Sequence, residues 1–148
     1  MKQWRWGALL CALAFVPACA ADGDAKSREL VAISHLATAP AGSLSVSDDR
    51  SYAFLDDTSK SEKRGTLSST EFEALKPHVA RASLDALYTH RDSDPDRCGL
   101  ASDGYILVSP AGTGCFVLSA VVDAEARASV EFFAALFSQK ANQPPAHK

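Results

Sequence analysis

Apolar and polar residues alternate in short stretches over the first half of the chain. Positions 43–47 read Ser-Leu-Ser-Val-Ser, and positions 51–56 carry two aromatic residues on the same face. Alternation with period two is typical of a strand that buries one face and leaves the other in water. Together with positions 29–36, which also fit a helix, and the more polar positions 62–67, these stretches predict an antiparallel β-meander.

A β-hairpin is predicted in the last third of the chain. Positions 104–109 form the first strand, positions 110–114 have turn chemistry, and positions 115–119 form the returning strand. A turn centred near Ala111 and Gly112 places Cys115 opposite Val108.

A helix is predicted from Ser68 onward, because Ser68 and Glu71 have the spacing of a capping box. Apolar residues then recur at intervals of three and four, which places them on one face: Phe72, Leu75, Val79 and Ala82. Pro77 lies inside this span and lacks a backbone N–H, so we expect a kink or a break there. Positions 83–88 are predicted to add a further helical turn.

A second helix is predicted after Asp123, whose side chain suits the N-cap position. Its apolar stripe consists of Ala126, Val130, Phe133 and Phe137. Phe132 and Leu136 widen this stripe to more than half of the circumference. We expect the helix to lie deep between hairpin and sheet with both edges covered. The alternative is that Phe132 and Leu136 form an apolar patch for a partner.

These elements predict an α+β fold. The antiparallel meander and the C-terminal hairpin would form a sheet of five or six strands, with two main helices packed on one face. Positions 29–138 would be this single domain, and positions 139–148, which contain two consecutive prolines, a disordered tail. A chain of this length is sufficient for one core.

The first 20 residues are typical of an export signal. Lys2 and Arg5 precede an uncharged apolar run at positions 7–16, shorter than the roughly 20 residues of a membrane-spanning helix. Two cleavage sites fit. Val-Pro-Ala-Cys, ending at Cys19, resembles a bacterial lipobox whose cysteine is lipidated, and Ala-Cys-Ala suits ordinary signal peptidase. The lipoprotein interpretation is favoured, because a cysteine at this place is uncommon by chance.

Export defines the compartment and limits the partners. The mature chain would be a periplasmic or outer-membrane-anchored lipoprotein, or a secreted protein, with positions 21–28 as a flexible tether. The chain has 15 Lys and Arg against 18 Asp and Glu, and loss of Lys2 and Arg5 changes its net charge from −3 to −5. This balance argues against nucleic acid and anionic lipid as partners, so a lipid at Cys19 would be the membrane contact.

Two cysteines remain in the mature domain, Cys98 and Cys115. In an oxidising compartment they have one intramolecular pairing, so we expect a disulfide. A bond that closes a loop of this length stabilises by about 3 kcal/mol in the chain-entropy picture. Because Cys115 is not expected opposite Cys98, residues 98–103 would fold back along the hairpin as a loop-to-strand clamp.

The polar loop before the hairpin is rich in aspartate. Asp92, Asp94 and Asp96 alternate, and Asp103 is at the twelfth place counted from Asp92, as in an EF-hand calcium loop. The sixth place is Arg97, where such a loop needs glycine. A solvated acidic loop is therefore favoured, and a calcium site at the four aspartates is the alternative.

No catalytic motif is found in the sequence. The chain contains no G-x-S-x-G, no glycine-rich phosphate loop and no H-E-x-x-H, and its four histidines lack metal-ligand spacing. We therefore expect a non-catalytic protein without a cofactor. A hydrolase, the further alternative, would need a deep pocket with convergent polar groups.

The order of the parts resembles a group of small bacterial proteins. A meander leads into Leu-Ser-Ser-Thr-Glu-Phe-Glu-Ala-Leu at positions 67–75, then a short Leu-x-x-Leu turn, a loop, Asp-Gly-Tyr-Ile-Leu-Val at positions 103–108 and an alanine-rich closing helix. This pattern is similar to emfourin-type proteins, which inhibit thermolysin-like metalloproteases. The resemblance implies helices on one face of an antiparallel sheet and inhibition of a protease, and no inhibitory residue is carried over.

The sequence therefore predicts a non-catalytic, exported cell-envelope protein that binds another exported or envelope protein. Protease inhibition is the sharpest form of this prediction. A calcium- or small-ligand-binding envelope protein is the alternative, based on the aspartates of the acidic loop.

Overall fold

The computed structural model describes residues 27–83, 85–94, 97 and 101–144. This part of the chain forms six strands and two α-helices: β1 Glu29–His35, β2 Gly42–Ser47, β3 Ser51–Asp56, β4 Glu62–Thr66, α1 Ser69–Ser83, β5 Gly104–Ser109, β6 Gly112–Val117 and α2 Ala124–Ala141. Short 3-10 turns precede and follow the β5–β6 hairpin, at Tyr88–His90 and Leu118–Ala120. The predicted α+β fold is confirmed.

The six strands form one sheet with the order β4-β3-β2-β1-β5-β6, and every neighbouring pair is antiparallel. β1 is central, because Ile33 pairs with Leu44 on one side and with Leu107 on the other. The connection from β4 to β5, which contains α1, therefore brings the hairpin to the free side of β1. For positions 29–36, the strand interpretation is correct and the helical one is not.

Both helices pack on the sheet face that carries the large apolar side chains. Alternate strand residues point to this face and are fully buried, among them Ile33, Leu44, Phe54, Leu107 and Phe116. From α2, Phe133 and Phe137 are also fully buried. The ring of Phe137 meets the ring of Phe54 edge-on, with centroids 5.2 Å apart. The core is therefore one layer between sheet and helices.

The start of α1 has the predicted capping box. Glu71 Oε2 accepts a hydrogen bond from the Ser68 backbone N–H at 2.7 Å, and Ser68 Oγ accepts one from the Glu71 N–H at 3.2 Å. The helix has no break at Pro77, because α1 is continuous from Ser69 to Ser83, and a kink there stays a prediction. Leu75 and Val79, on either side of Pro77, are buried, and this packing offsets the missing hydrogen bond.

The segment after α1 is not the further α-helical turn predicted for positions 83–88. Asp85 has φ of 64°, which a right-handed helix does not accommodate, and the 3-10 turn Tyr88–His90 follows. This turn buries Tyr88, whose hydroxyl donates to the Leu107 carbonyl at 3.2 Å. The segment is therefore anchored on the hairpin and does not extend α1.

The hairpin turn is tighter than predicted. Ser109 pairs with Gly112, so the turn consists of Pro110 and Ala111 rather than of positions 110–114. Gly112 has φ of 135°, a conformation that side-chain-bearing residues rarely adopt. Glycine at this position therefore allows the chain to reverse early.

The early reversal changes the register of the returning strand. β6 covers Gly112–Val117 rather than positions 115–119, and Cys115 lies opposite Ile106. The predicted pairing of Cys115 with Val108 is therefore wrong. After β6, the Leu118 backbone N–H donates to the Asp103 carbonyl at 3.0 Å, which closes the open end of the hairpin.

The start of α2 agrees with the prediction, and its end does not. Asp123 is the N-cap, and its side chain accepts the Ala126 backbone N–H at 2.7 Å. The helix continues to Ala141, so a tail over positions 139–148 begins three residues too early. Lys140 follows Phe137 by three residues and is buried on the same side as the apolar stripe.

Gly114 lies directly against the Tyr88 ring. A Cβ at this position would be 2.3 Å from Tyr88 Cδ1 and 2.7 Å from Phe116 Cε2. Both rings are part of the core, so we expect Gly114→Ala to lower the free energy of unfolding by about 1–3 kcal/mol. Urea unfolding followed by circular dichroism measures this change, with exposed Thr113→Ala as the control. Equal stability of the two variants would contradict the packing described.

Candidate functional site

Two ion pairs join α1 and α2, which are antiparallel to each other. Near the start of α1, Glu71 Oε1 lies 2.6 Å from the Lys140 ammonium near the end of α2. Near the end of α1, Arg81 Nη1 lies 2.6 Å from Glu125 Oε2 in the first turn of α2. Between the two antiparallel helices lies a groove that has the Glu71–Lys140 pair at one end.

The α1–α2 groove has a volume of about 470 Å³ and is mainly apolar. Its lining residues are Thr70, Glu71, Ala74, Phe132, Ala135, Leu136 and Gln139. Both Phe132 and Leu136 line the groove; a partner patch at these residues was the alternative to complete burial. Leu136 is only 5% exposed, Phe132 is half-buried, and Ala135 is exposed. The two large side chains form the floor and the alanine a rim.

His78 holds the Phe132 ring at one side of the groove. The two rings stack with centroids 4.3 Å apart and an interplanar angle of 18°. His78 Nδ1 is also 3.0 Å from the Ser129 hydroxyl oxygen. Partial burial, together with the nearby Arg81 guanidinium, lowers the pKa of His78. The neutral imidazole is therefore favoured, which suits the apolar character of the groove.

Glu71 is a charged member of the groove lining, and its charge is neutralised. Oε1 accepts from Lys140 Nζ at 2.6 Å, while Oε2 takes part in the capping box. Lys140 is 3% exposed and lies 5.1 Å from the centroid of the Tyr52 ring. The hydrogen bond from Lys140 lowers the pKa of Glu71 to about 2. This end of the groove therefore carries a paired charge at physiological pH.

The opposite face of the sheet has a different character. Leu55 and Val108 are exposed there, at 41% and 38%. They belong to β3 and β5, and between them β2 and β1 present half-buried small residues such as Ser45 and Ala32. The exposed apolar side chains on this face are therefore separated from each other, whereas Phe132 and Leu136 are neighbours in the groove.

The acidic loop uses its described aspartates in local contacts. Asp92 Oδ2 is 3.3 Å from Arg97, and its Oδ1 accepts the Asp94 backbone N–H at 3.0 Å. Asp103 Oδ2 accepts a backbone N–H from the turn after β6 at 2.8 Å. Asp96 lies outside the described residues, within which no three His, Cys, Asp or Glu side chains form a metal-binding group. Calcium binding stays a prediction.

Cys115 is disulfide-bonded. Its expected partner, Cys98, lies outside the described residues, so the pairing stays a prediction. At this point of the sheet the Asp92 backbone N–H donates to the Cys115 carbonyl at 2.8 Å. The acidic loop therefore approaches the outer edge of β6, which is the location that a loop-to-strand clamp requires.

The export signal cannot be placed in the fold, because positions 1–26 lie outside the described residues. Cys19 and most of the tether at positions 21–28 belong to this segment. Among the helices that are described, none is long and apolar enough to cross a membrane. Export and lipidation therefore stay predictions.

Neither a known protein family, nor a curated protein, nor a solved structure matches this chain. The resemblance to emfourin-type inhibitors stays an interpretation of the order of elements. The groove, its charges and its packing are consequently the basis for a functional proposal.

Sequence reasoning missed two residues that shape the groove. His78 follows Leu75 by three positions and precedes Val79, so helical spacing placed it beside the apolar face of α1. Lys140 continues the spacing of Phe133 and Phe137, but it falls within the predicted tail, which was recognised by its two consecutive prolines. Helical spacing was the signal that could have identified both residues. Glu71, the acidic partner that makes burial of Lys140 possible, is distant from it in sequence.

The Glu71–Lys140 pair predicts a stability that depends on acidity. The pKa of Glu71 is lowered from 4.5 to about 2 in the folded state, so its stabilisation is complete above pH 4.5 and is lost as the pH falls through about 2. We expect Glu71→Gln to lower the free energy of unfolding at pH 7 by about 1–3 kcal/mol. Its stability should also change less with pH in this window.

The control for this variant is Glu73→Gln, which removes an exposed carboxylate beside Lys76. We expect this change to alter stability by less than about 0.5 kcal/mol, because exposed ion pairs contribute little. Denaturant unfolding at pH 7 and near pH 3 measures both variants. The same acid dependence in Glu71→Gln and in the unmodified chain would rule out a stabilising role of this pair.

Proposed function

We propose that this chain is a non-catalytic protein-binding module of the bacterial cell envelope. In this proposal positions 1–20 direct export, lipidated Cys19 anchors the chain, and the α1–α2 groove binds an apolar helix of another exported protein. The observation that carries the proposal is the mainly apolar groove, whose charged lining residue, Glu71, is paired with Lys140.

The shape of the groove favours a helix as its occupant. Two antiparallel helices packed on a sheet leave a furrow parallel to their axes, into which the side chains of a third helix can pack. Phe132 and Leu136 are one turn apart on α2, so the floor repeats at the spacing of a helix. An amphipathic helix presents apolar side chains at the matching intervals of three and four residues.

The charges around the groove favour a partner helix with an apolar stripe over a charged peptide. Glu71 is paired with Lys140. On the outer surfaces of the helices, Lys76 and Arg127 pair with acidic residues of their own helix, at 2.6 Å and 3.0 Å. A charged side chain that entered the groove would therefore lose water without gaining an unpaired partner.

The polar groups of the groove are better suited to binding than to catalysis. A carboxylate whose pKa is about 2, as in Glu71, is a weak general base and stays ionised near neutral pH. His78 is engaged by Ser129 on one nitrogen and by Phe132 on its ring face. The remaining polar lining residues, Thr70 and Gln139, are neutral.

Inhibition of an exported metalloprotease is the sharpest form of this proposal, and the resemblance in the order of elements supports it. We expect the purified domain, at micromolar concentration, to lower the activity of a thermolysin-like enzyme on a peptide substrate. Unchanged protease activity would remove the inhibitor form, while the binding of another envelope protein would still be tested by the variants below.

The groove predicts a variant that abolishes partner binding without unfolding the domain. Ala135 is exposed on the groove rim, so Ala135→Asp places a charge in the path of an apolar helix. Site-specific photo-crosslinking from position 135 in intact cells identifies the partner. With that partner purified, we expect Ala135→Asp to weaken binding by about tenfold or more, because the new charge loses water on complex formation.

The matched control is Leu55→Asp on the opposite face of the sheet, where the side chain is also exposed. We expect this variant to bind the partner like the unmodified chain. Crosslinks that form from position 55 and not from position 135 would assign binding to the sheet face. A normal affinity of Ala135→Asp would exclude the groove.

A further inference from the structure

A second hollow lies beside the outer edge of β6, away from the α1–α2 groove. It has a volume of about 560 Å³, within the range of roughly 300–1,000 Å³ of small-ligand sites. Residues 88, 89 and 91–93 form one wall, and the hairpin residues Ile106, Thr113 and Cys115 form another. Its lining is about equally polar and apolar, which distinguishes it from the groove between the helices.

Arg91 supplies positive charge to this hollow. Its side chain is exposed, and it forms no ion pair within the part of the chain that the structure describes. The neighbouring Arg97, in contrast, lies 3.3 Å from the Asp92 carboxylate. Arg91 is therefore the guanidinium that remains available to an anionic ligand at this wall.

Neutral donors lie on the strand side of the hollow. The Cys115 carbonyl points away from β5 and accepts the Asp92 N–H. Alternate residues of an antiparallel strand direct their backbone groups to the same side, so the Thr113 N–H also faces the outer edge of β6. No backbone hydrogen bond to this N–H is found among the described residues. The Thr113 and Ser93 hydroxyls add further donors.

We propose that this hollow binds a carboxylate that is attached to an apolar group. The planar guanidinium of Arg91 can donate two parallel hydrogen bonds to a carboxylate, and the Thr113 N–H can donate a third. Ile106 contributes apolar wall for the attached group. Asp92 and Asp94 stand close to Arg91 in the chain, so a dianionic phosphate is repelled more than a monoanionic carboxylate.

The same chemistry could come from a small free carboxylic acid or from the C-terminus of a peptide. Both sources are tested by following backbone amide chemical shifts of the purified domain during titrations. The probes are N-acetyl-leucine, its carboxamide, acetyl-glycyl-glycyl-leucine and inorganic phosphate. We expect the two free carboxylates to shift amides of residues 89–93 and of Thr113, and the carboxamide to shift none.

Arg91→Gln is the decisive variant. Its control is Arg28→Gln, which changes an exposed arginine just before β1. We expect Arg91→Gln to weaken carboxylate binding by about tenfold or more, and Arg28→Gln to leave it unchanged. Tighter binding of the tripeptide identifies a peptide C-terminus as the source, and equal affinities identify a free acid. Equal binding of the carboxamide, tighter binding of phosphate, or unchanged affinity in Arg91→Gln would overturn the proposal.

Discussion

The burial of α2 against the centre of the sheet is the interaction on which the structure depends. The ring of Phe137 contacts His35 on β1, Phe54 on β3 and Tyr105 on β5, with centroid distances of 6.0, 5.2 and 6.3 Å. One fully buried side chain thus spans the meander and the hairpin. Burial of a phenylalanine side chain stabilises a fold by about 1.5–3 kcal/mol. The apolar stripe of α2 therefore holds the meander and the hairpin together.

The groove follows from the width of this stripe. Phe133 and Phe137 occupy the sheet-facing side of α2, so Phe132 and Leu136 are directed towards α1. α1 covers most of Leu136 and leaves Phe132 half-buried beside its histidine. The apolar surface that the core cannot accommodate is therefore concentrated between the helices, where a partner can reach it.

The edges of the sheet are protected in different ways. β4 carries charged residues at Glu62, Lys63 and Arg64, which disfavour pairing with another strand. β6 lacks such charges, and the Asp92 N–H covers part of its edge through the Cys115 carbonyl. The uncovered part of β6 lies at the hollow that contains Arg91. The ligand site proposed there and the groove consequently involve separate elements and separate chemistry.

Local patterns by themselves determined the elements of this protein. Period-two alternation identified β2 and β3, and the capping box and the stripe of α2 identified the helices, because neighbouring residues decide these features. Tertiary structure decided the strand order, the tolerance of Pro77 in α1, and the burial of Lys140 opposite Glu71. Each of these depends on contacts between distant residues, whose packing energy exceeds the local preference. The sequence pattern indicated two residues of the groove as an alternative to burial, and the shape of the groove depends on the packing of the two helices against each other.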